Sequence, residues 1–202
     1  FAATEFEEIV TTSAVFSRED YFTIRRLHFV QSLLVDAHAG GRVFYGLRAL
    51  TGGTSLFPLL ESITLDSTDE VGPFWTLLAD FEEAASAELL SPDDVLALRS
   101  SGDNDQTNVK LNPYFLTRLL YEDGVLEHFL SVLDERITRL YGTDQALVDA
   151  VLHLIRQRVY PFDGSTGSTL KVGLDLNALT MAALSPRTVP LTVADLLDVP
   201  EV

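Results

Sequence analysis

Any chemistry in this chain has to come from four histidines, several adjacent carboxylates and one glycine-bearing loop, because the 202 residues include no cysteine. Without thiols the chain itself offers no disulfide, thiolate zinc site, cysteine nucleophile or cysteine-held iron–sulfur cluster. His28, His38, His128 and His153 show neither the H-E-x-x-H pattern nor another close ligand spacing. On helical wheels His128 and His153 fall roughly opposite apolar stripes and are expected to face solvent. His38 falls near a helix end, where an imidazolium meets the negative end of the dipole. His28 flanks an apolar stripe beside Arg25, as a hydrogen-bonded core-edge side chain or as a substrate contact or proton donor. The pairs Glu7/Glu8, Glu82/Glu83, Asp93/Asp94 and Glu122/Asp123 are adjacent in sequence, so their side chains diverge and make no natural acid–base dyad. No G-x-S-x-G elbow is present, and no base is visibly placed for a Ser or Thr nucleophile. The loop Asp163 to Thr169 lacks the phosphate-cradling G-x-x-x-x-G-K-[ST] pattern and reads as a flexible connection. These residues give no catalytic group and no metal ligand.

The elements that would position these side chains are helical. Ser17-Arg18-Glu19-Asp20 is a capped helix start, and Ile24, Leu27, Val30, Gln31 and Leu34 recur at helical spacing as far as Gly40-Gly41. Val43 to Leu50 and Ser55 to Ile63 suit two short helices. Phe74, Leu77, Leu78, Phe81 and Ala85 mark an amphipathic helix with Pro73 in its first turn. Ser91-Pro92-Asp93-Asp94 opens another helix, to about Arg99, and residues 100–106 form a polar loop. Asn112-Pro113 restarts a helix. The stripe Leu126, Phe129, Leu130, Leu133, Ile137 and Leu140 follows a break at Gly124. Thr143 is expected to cap a last helix with Leu147, Val148, Val151, Leu152 and Ile155 inward. Phe29, Phe44, Tyr45, Phe74, Trp75, Tyr114, Phe115 and Phe129 fit helix cores, with an aromatic-lined ligand pocket as the alternative. Glu7 to Val10 looks extended, like a strand whose partner lies elsewhere. The expected fold is therefore mainly α: a helical bundle with a short N-terminal extended segment and an irregular C-terminal tail. Residues 1–16 form an extended linker or strand from a preceding domain. Residues 17–160 form the helical domain, and residues 161–202 form a tail packing on it.

Composition narrows the function classes. Fourteen Lys+Arg against 30 Asp+Glu give a net charge of −16, which argues against a phosphate-backbone binder. Twelve of the 14 basic residues are Arg, and from Glu61 to Asp105 there are 12 acids and one base, Arg99. That stretch is either a solvated face or a surface for a basic partner. No apolar run reaches the ~18 residues of a membrane span. The start, Phe1 to Glu5, has no signal-peptide character and no initiator Met, so the sequence reads as a piece of a longer, cytoplasmic polypeptide.

Glu8-Ile9-Val10, then Ser17-Arg18-Glu19-Asp20-Tyr21 and Ile24-Arg25-Arg26-Leu27-His28-Phe29, resemble the region just after the catalytic barrel in radical S-adenosylmethionine enzymes, especially the cobalamin-binding type. There a last extended segment leads into a Ser-x-Glu-Asp helix start, a helix of this kind, a glycine-bearing turn such as Gly40-Gly41, and a variable helical region. The resemblance covers about residues 5–50. It implies a parent enzyme that cleaves S-adenosylmethionine reductively at a 4Fe-4S cluster held by three cysteines, with cobalamin as a further cofactor in that type. This chain carries no matching cluster, S-adenosylmethionine or cobalamin motif. It implies an accessory, substrate-covering domain, not catalytic by itself, whose partner is the preceding catalytic domain of the same polypeptide. Arg25, His28 and Arg42 are the candidate substrate contacts. Two other readings stand beside it: an acidic helical protein-interaction module, and a small-molecule-binding helical bundle.

Overall fold

Capping residues and prolines set where the helices of this chain begin. The structure, a computed structural model, describes residues 9–35, 46–48, 50–51, 55–65, 70–101 and 110–158. In chain order the helices are α1 (Arg18–Val35), α2 (Phe57–Thr64), α3 (Pro73–Ala87), α4 (Pro92–Ser101), α5 (Leu111–Tyr121), α6 (Val125–Tyr141) and α7 (Gln145–Arg158). Residues 46–48 and 50 are helical as well. At the head of α1, Asp20 N–H donates to Ser17 Oγ (3.1 Å) while Ser17 N–H donates to Asp20 Oδ2 (2.7 Å). Ser91 and Asp94 repeat this reciprocal cap at α4, at 3.2 and 3.0 Å. Proline stands in the first turn of α2 and α3, where a missing N–H leaves no bond unmade. Gly124, at φ +77°, makes the left-handed turn between α5 and α6.

The helices form a bundle around one core, and no strand forms among the described residues. α3 lies between α1, α5 and α6; α6 packs in turn on α2, α5 and α7. Phenylalanines hold the junctions. Phe29 of α1 stacks on Phe81 of α3 at 4.4 Å between ring centroids, and Phe115 of α5 meets Phe81 edge-on at 5.4 Å. Phe74 of α3 lies 4.8 Å from Phe129 of α6. Burial of such a ring contributes about 1.5–3 kcal/mol, and its orientation about 0.5–1.5 kcal/mol more. Among the described residues α4 makes no substantial contact with the other helices.

Several expectations need correction. The inward face of α1 is Phe29, Val30, Leu33 and Leu34, whereas Ile24 and Gln31 are exposed. Val30 and Leu34 of the expected stripe are buried and Leu27 packs against the core, so the inner face departs from expectation only in losing Ile24 and Gln31 and gaining Phe29 and Leu33. Asp144, not Thr143, caps α7: Ala146 N–H donates to Asp144 Oδ1 at 2.9 Å, and Thr143 Oγ1 instead donates to the Leu50 carbonyl at 2.8 Å. His128 is half-buried rather than facing solvent, because it packs on the segment that leads into α3. His28, expected at the core edge, is exposed, as are Tyr114 and Leu140. Residues 9–12 have no regular structure. Phe1 to Glu8, His38, Gly40-Gly41, Arg42 to Tyr45, residues 102–109 and the tail from residue 159 onward lie outside the described residues.

Candidate functional site

The residues picked from sequence are not brought together. Arg25 reaches across α1 to Glu88 at the C-terminal end of α3 (2.9 Å), which gives it an inter-helix role. His28, one turn further along α1, points away from the core and is exposed. Arg42 lies outside the described residues. His153 is exposed, as its wheel position predicted.

A cleft of about 360 Å³ opens instead between α1 and the start of α3, lined by Arg26, Glu70, Gly72, Trp75, Ala79 and Glu82 among others. α1 supplies Arg26, whose Nε donates to Glu82 Oε1 (2.6 Å) and Nη1 to the Thr64 carbonyl (2.7 Å). α3 supplies the apolar wall through Trp75 and Leu78, both buried. The segment entering α3 supplies Glu70, which accepts from Nη2 of Arg136 on α6 at 2.5 Å. The Arg136 side chain is only 2% exposed, and its Nε is buried with no hydrogen-bond partner among the described residues. The cleft thus holds the Arg26–Glu82 pair, the indole of Trp75, and Glu70, whose partner Arg136 does not itself line the cleft.

Backbone geometry keeps one wall tight. Gly72 has φ +135°, and a Cβ there would run into the His128 ring. His128 Nδ1 accepts from the Phe74 N–H at 3.3 Å, so an imidazole from α6 satisfies a free N–H in the first turn of α3. Elsewhere, Asp80 of α3 is bound by Arg118 of α5 at 2.7 Å. Glu122 and Asp80 together hold the Arg118 guanidinium well above its ordinary pKa. Four acids of the Glu61–Asp105 stretch, Glu70, Asp80, Glu82 and Glu88, are therefore bound by arginines of the same chain.

Sequence reasoning missed Arg26, Glu70, Trp75 and Arg136 as a group. The available signal was a basic residue at a core position: Arg136 falls three residues after Leu133 and seven after Phe129, and Arg26 three before Phe29. The chain has no cysteine, and among the described residues no group of three His, Asp or Glu is placed to hold a metal ion. Among the described residues no helix is long and apolar enough to cross a membrane. Compared with known protein families, with curated proteins and with solved structures, the chain matches none.

Proposed function

We propose that this chain is the C-terminal accessory domain of a radical S-adenosylmethionine enzyme of the cobalamin-binding type, covering the substrate rather than reacting with it. One observation carries the reading beyond the sequence resemblance. The approach to α1 and its outer side leave large apolar residues in water: Val15 is 95% exposed, Val10 75%, Ile24 53% and Ile9 50%. They sit in and beside the stretch that resembles the exit from the catalytic barrel. Covering them would contribute about 25 cal/mol for each Å² of apolar area removed from water, and the catalytic domain is the surface this reading supplies. The cluster, S-adenosylmethionine and cobalamin would all be held by that domain, and cytoplasmic placement goes with the reading. Its rival, an acidic module for a basic partner, is weakened by the four acids already bound by arginines within the chain.

The test is the encoded polypeptide that contains this chain, purified without oxygen. Reading it upstream should reveal a C-x-x-x-C-x-x-C motif about one barrel's length before Phe1. The intact protein should bind iron and release 5′-deoxyadenosine from S-adenosylmethionine. Deleting the region from residue 17 onward should preserve iron binding and abolish turnover of the substrate. An encoded polypeptide with no such motif, or an iron-free purified protein that still turns over a substrate, refutes the proposal.

A further inference from the structure

The Arg136 guanidinium is incompletely used. It is buried in the α6 face of the bundle, yet its Nη1 reaches only the Glu135 carboxylate at 3.3 Å, its Nη2 reaches Glu70, and its Nε reaches nothing among the described residues. A carboxylate that fully engages arginine takes two parallel N–H donors; Glu70 takes one. A buried donor without an acceptor is costly, so natural interiors seldom keep one. Glu70 is also the easiest part of the pair to move. Its side chain is 37% exposed, it lies outside any helix, and it both lines the cleft and accepts from the buried Arg136, which does not line it.

We propose that this cleft binds a small carboxylate with an apolar body, whose carboxylate replaces Glu70 on Arg136 and takes up both Nε and Nη2. The cleft volume, about 360 Å³, falls at the small end of ligand sites. Trp75 and Leu78 offer the apolar body a wall. Charge also balances: Arg26 stays with Glu82, the ligand neutralises Arg136, and Glu70 turns into water. A phosphate dianion is disfavoured by Glu70, by Glu82 and by the net charge of −16. Glu70 then serves as an internal stand-in that keeps the buried cation paired until a ligand arrives. The inference does not depend on the accessory-domain reading.

The probe is 3-phenylpropanoate, titrated into the full 202-residue chain by calorimetry and ligand-observed NMR, with 3-phenylpropanamide as its neutral counterpart. The acid should bind, and the amide about tenfold or more weakly, because the charge-assisted pair is lost. Glu70→Gln removes the internal competitor and should tighten the acid by about tenfold. Ala79→Trp, an exposed cleft position on α3, should block binding while leaving the Glu70–Arg136 pair in place. Should Glu70→Gln fail to fold, the acid–amide difference and Ala79→Trp decide on the native background. No binding of the acid at 10 mM (about the weakest useful affinity), equal binding of acid and amide, unchanged or weaker binding by folded Glu70→Gln, or full binding by Ala79→Trp would each overturn the proposal.

Discussion

Replacing Gly72 with alanine tests how α3 is anchored. At φ +135° a side chain costs about 1–3 kcal/mol in backbone strain. The new methyl also occupies the position of the His128 ring, so the imidazole must leave and the Phe74 N–H loses its acceptor, at about 1 kcal/mol. Gly72→Ala should therefore cost about 3 kcal/mol, lowering the melting midpoint by about 6–12 °C for a chain of this size. His128→Ala alone should cost about 1 kcal/mol, through the same hydrogen bond and the edge contact with Trp75. The double variant is the informative one. If the methyl expels the ring, the bond is lost only once, and Gly72→Ala/His128→Ala should match Gly72→Ala to within about 0.5 kcal/mol. Urea denaturation of the four proteins closes the cycle. A double variant weaker than Gly72→Ala by the full cost of His128→Ala would show that the ring stays bonded beside the methyl, and would refute the clash as the cause.

Two further perturbations follow from the ion pairs and caps. Arg136→Met removes a buried cation and leaves Glu70 free to face water, so the unfolding free energy should change by less than ~1 kcal/mol, whereas Glu70→Gln leaves the buried cation with only the longer Glu135 contact and should cost about 3 kcal/mol; equal losses in the two variants would contradict this asymmetry. The Ser17 backbone N–H, then its hydroxyl, hold the Asp20 carboxyl below the ordinary 3.8, so the contribution of that carboxylate to stability is present above that pH and is lost as pH falls through the lower, folded value. Ser17→Ala keeps the backbone donor, so NMR titration should find the Asp20 pKa moved only part of the way back, while the lost acceptor for the Asp20 N–H costs α1 about 1 kcal/mol; an unmoved titration curve would count against the reciprocal cap.

Local signals in the sequence fared well and remote ones did not. Ser17, Ser91, Pro73 and the break at Gly124 are chemical instructions to the backbone within one turn, and the helices begin where these residues place them. Periodicity places Leu27, Val30 and Leu34 of α1 inward but treats charge as outward, so it does not show Arg26, whose charge is met by Glu82 and the Thr64 carbonyl, on the side that faces α3. His128 is intelligible only with Gly72, a residue far away in sequence with room for the ring and no side chain of its own. The cleft depends on the same kind of information. Its walls come from α1, α3 and the segment before α3, and the cation that binds Glu70 comes from α6. No spacing rule brings Arg26, Glu70 and Arg136 to neighbouring places; that follows from the packing of α1, α3 and α6, at which Phe29 meets Phe81 and Phe74 meets Phe129.

The arginine clasps have a consequence for the conditions this bundle tolerates. α1, α5 and α6 each grip α3 or the residues flanking it through a guanidinium, and α7 grips α6 the same way through Arg156 and Glu127. A guanidinium keeps its proton in alkali that would discharge an ammonium. Among the described residues, this set of inter-helix fastenings therefore rests on cations that mild base leaves charged, where lysine clasps in the same places would let go.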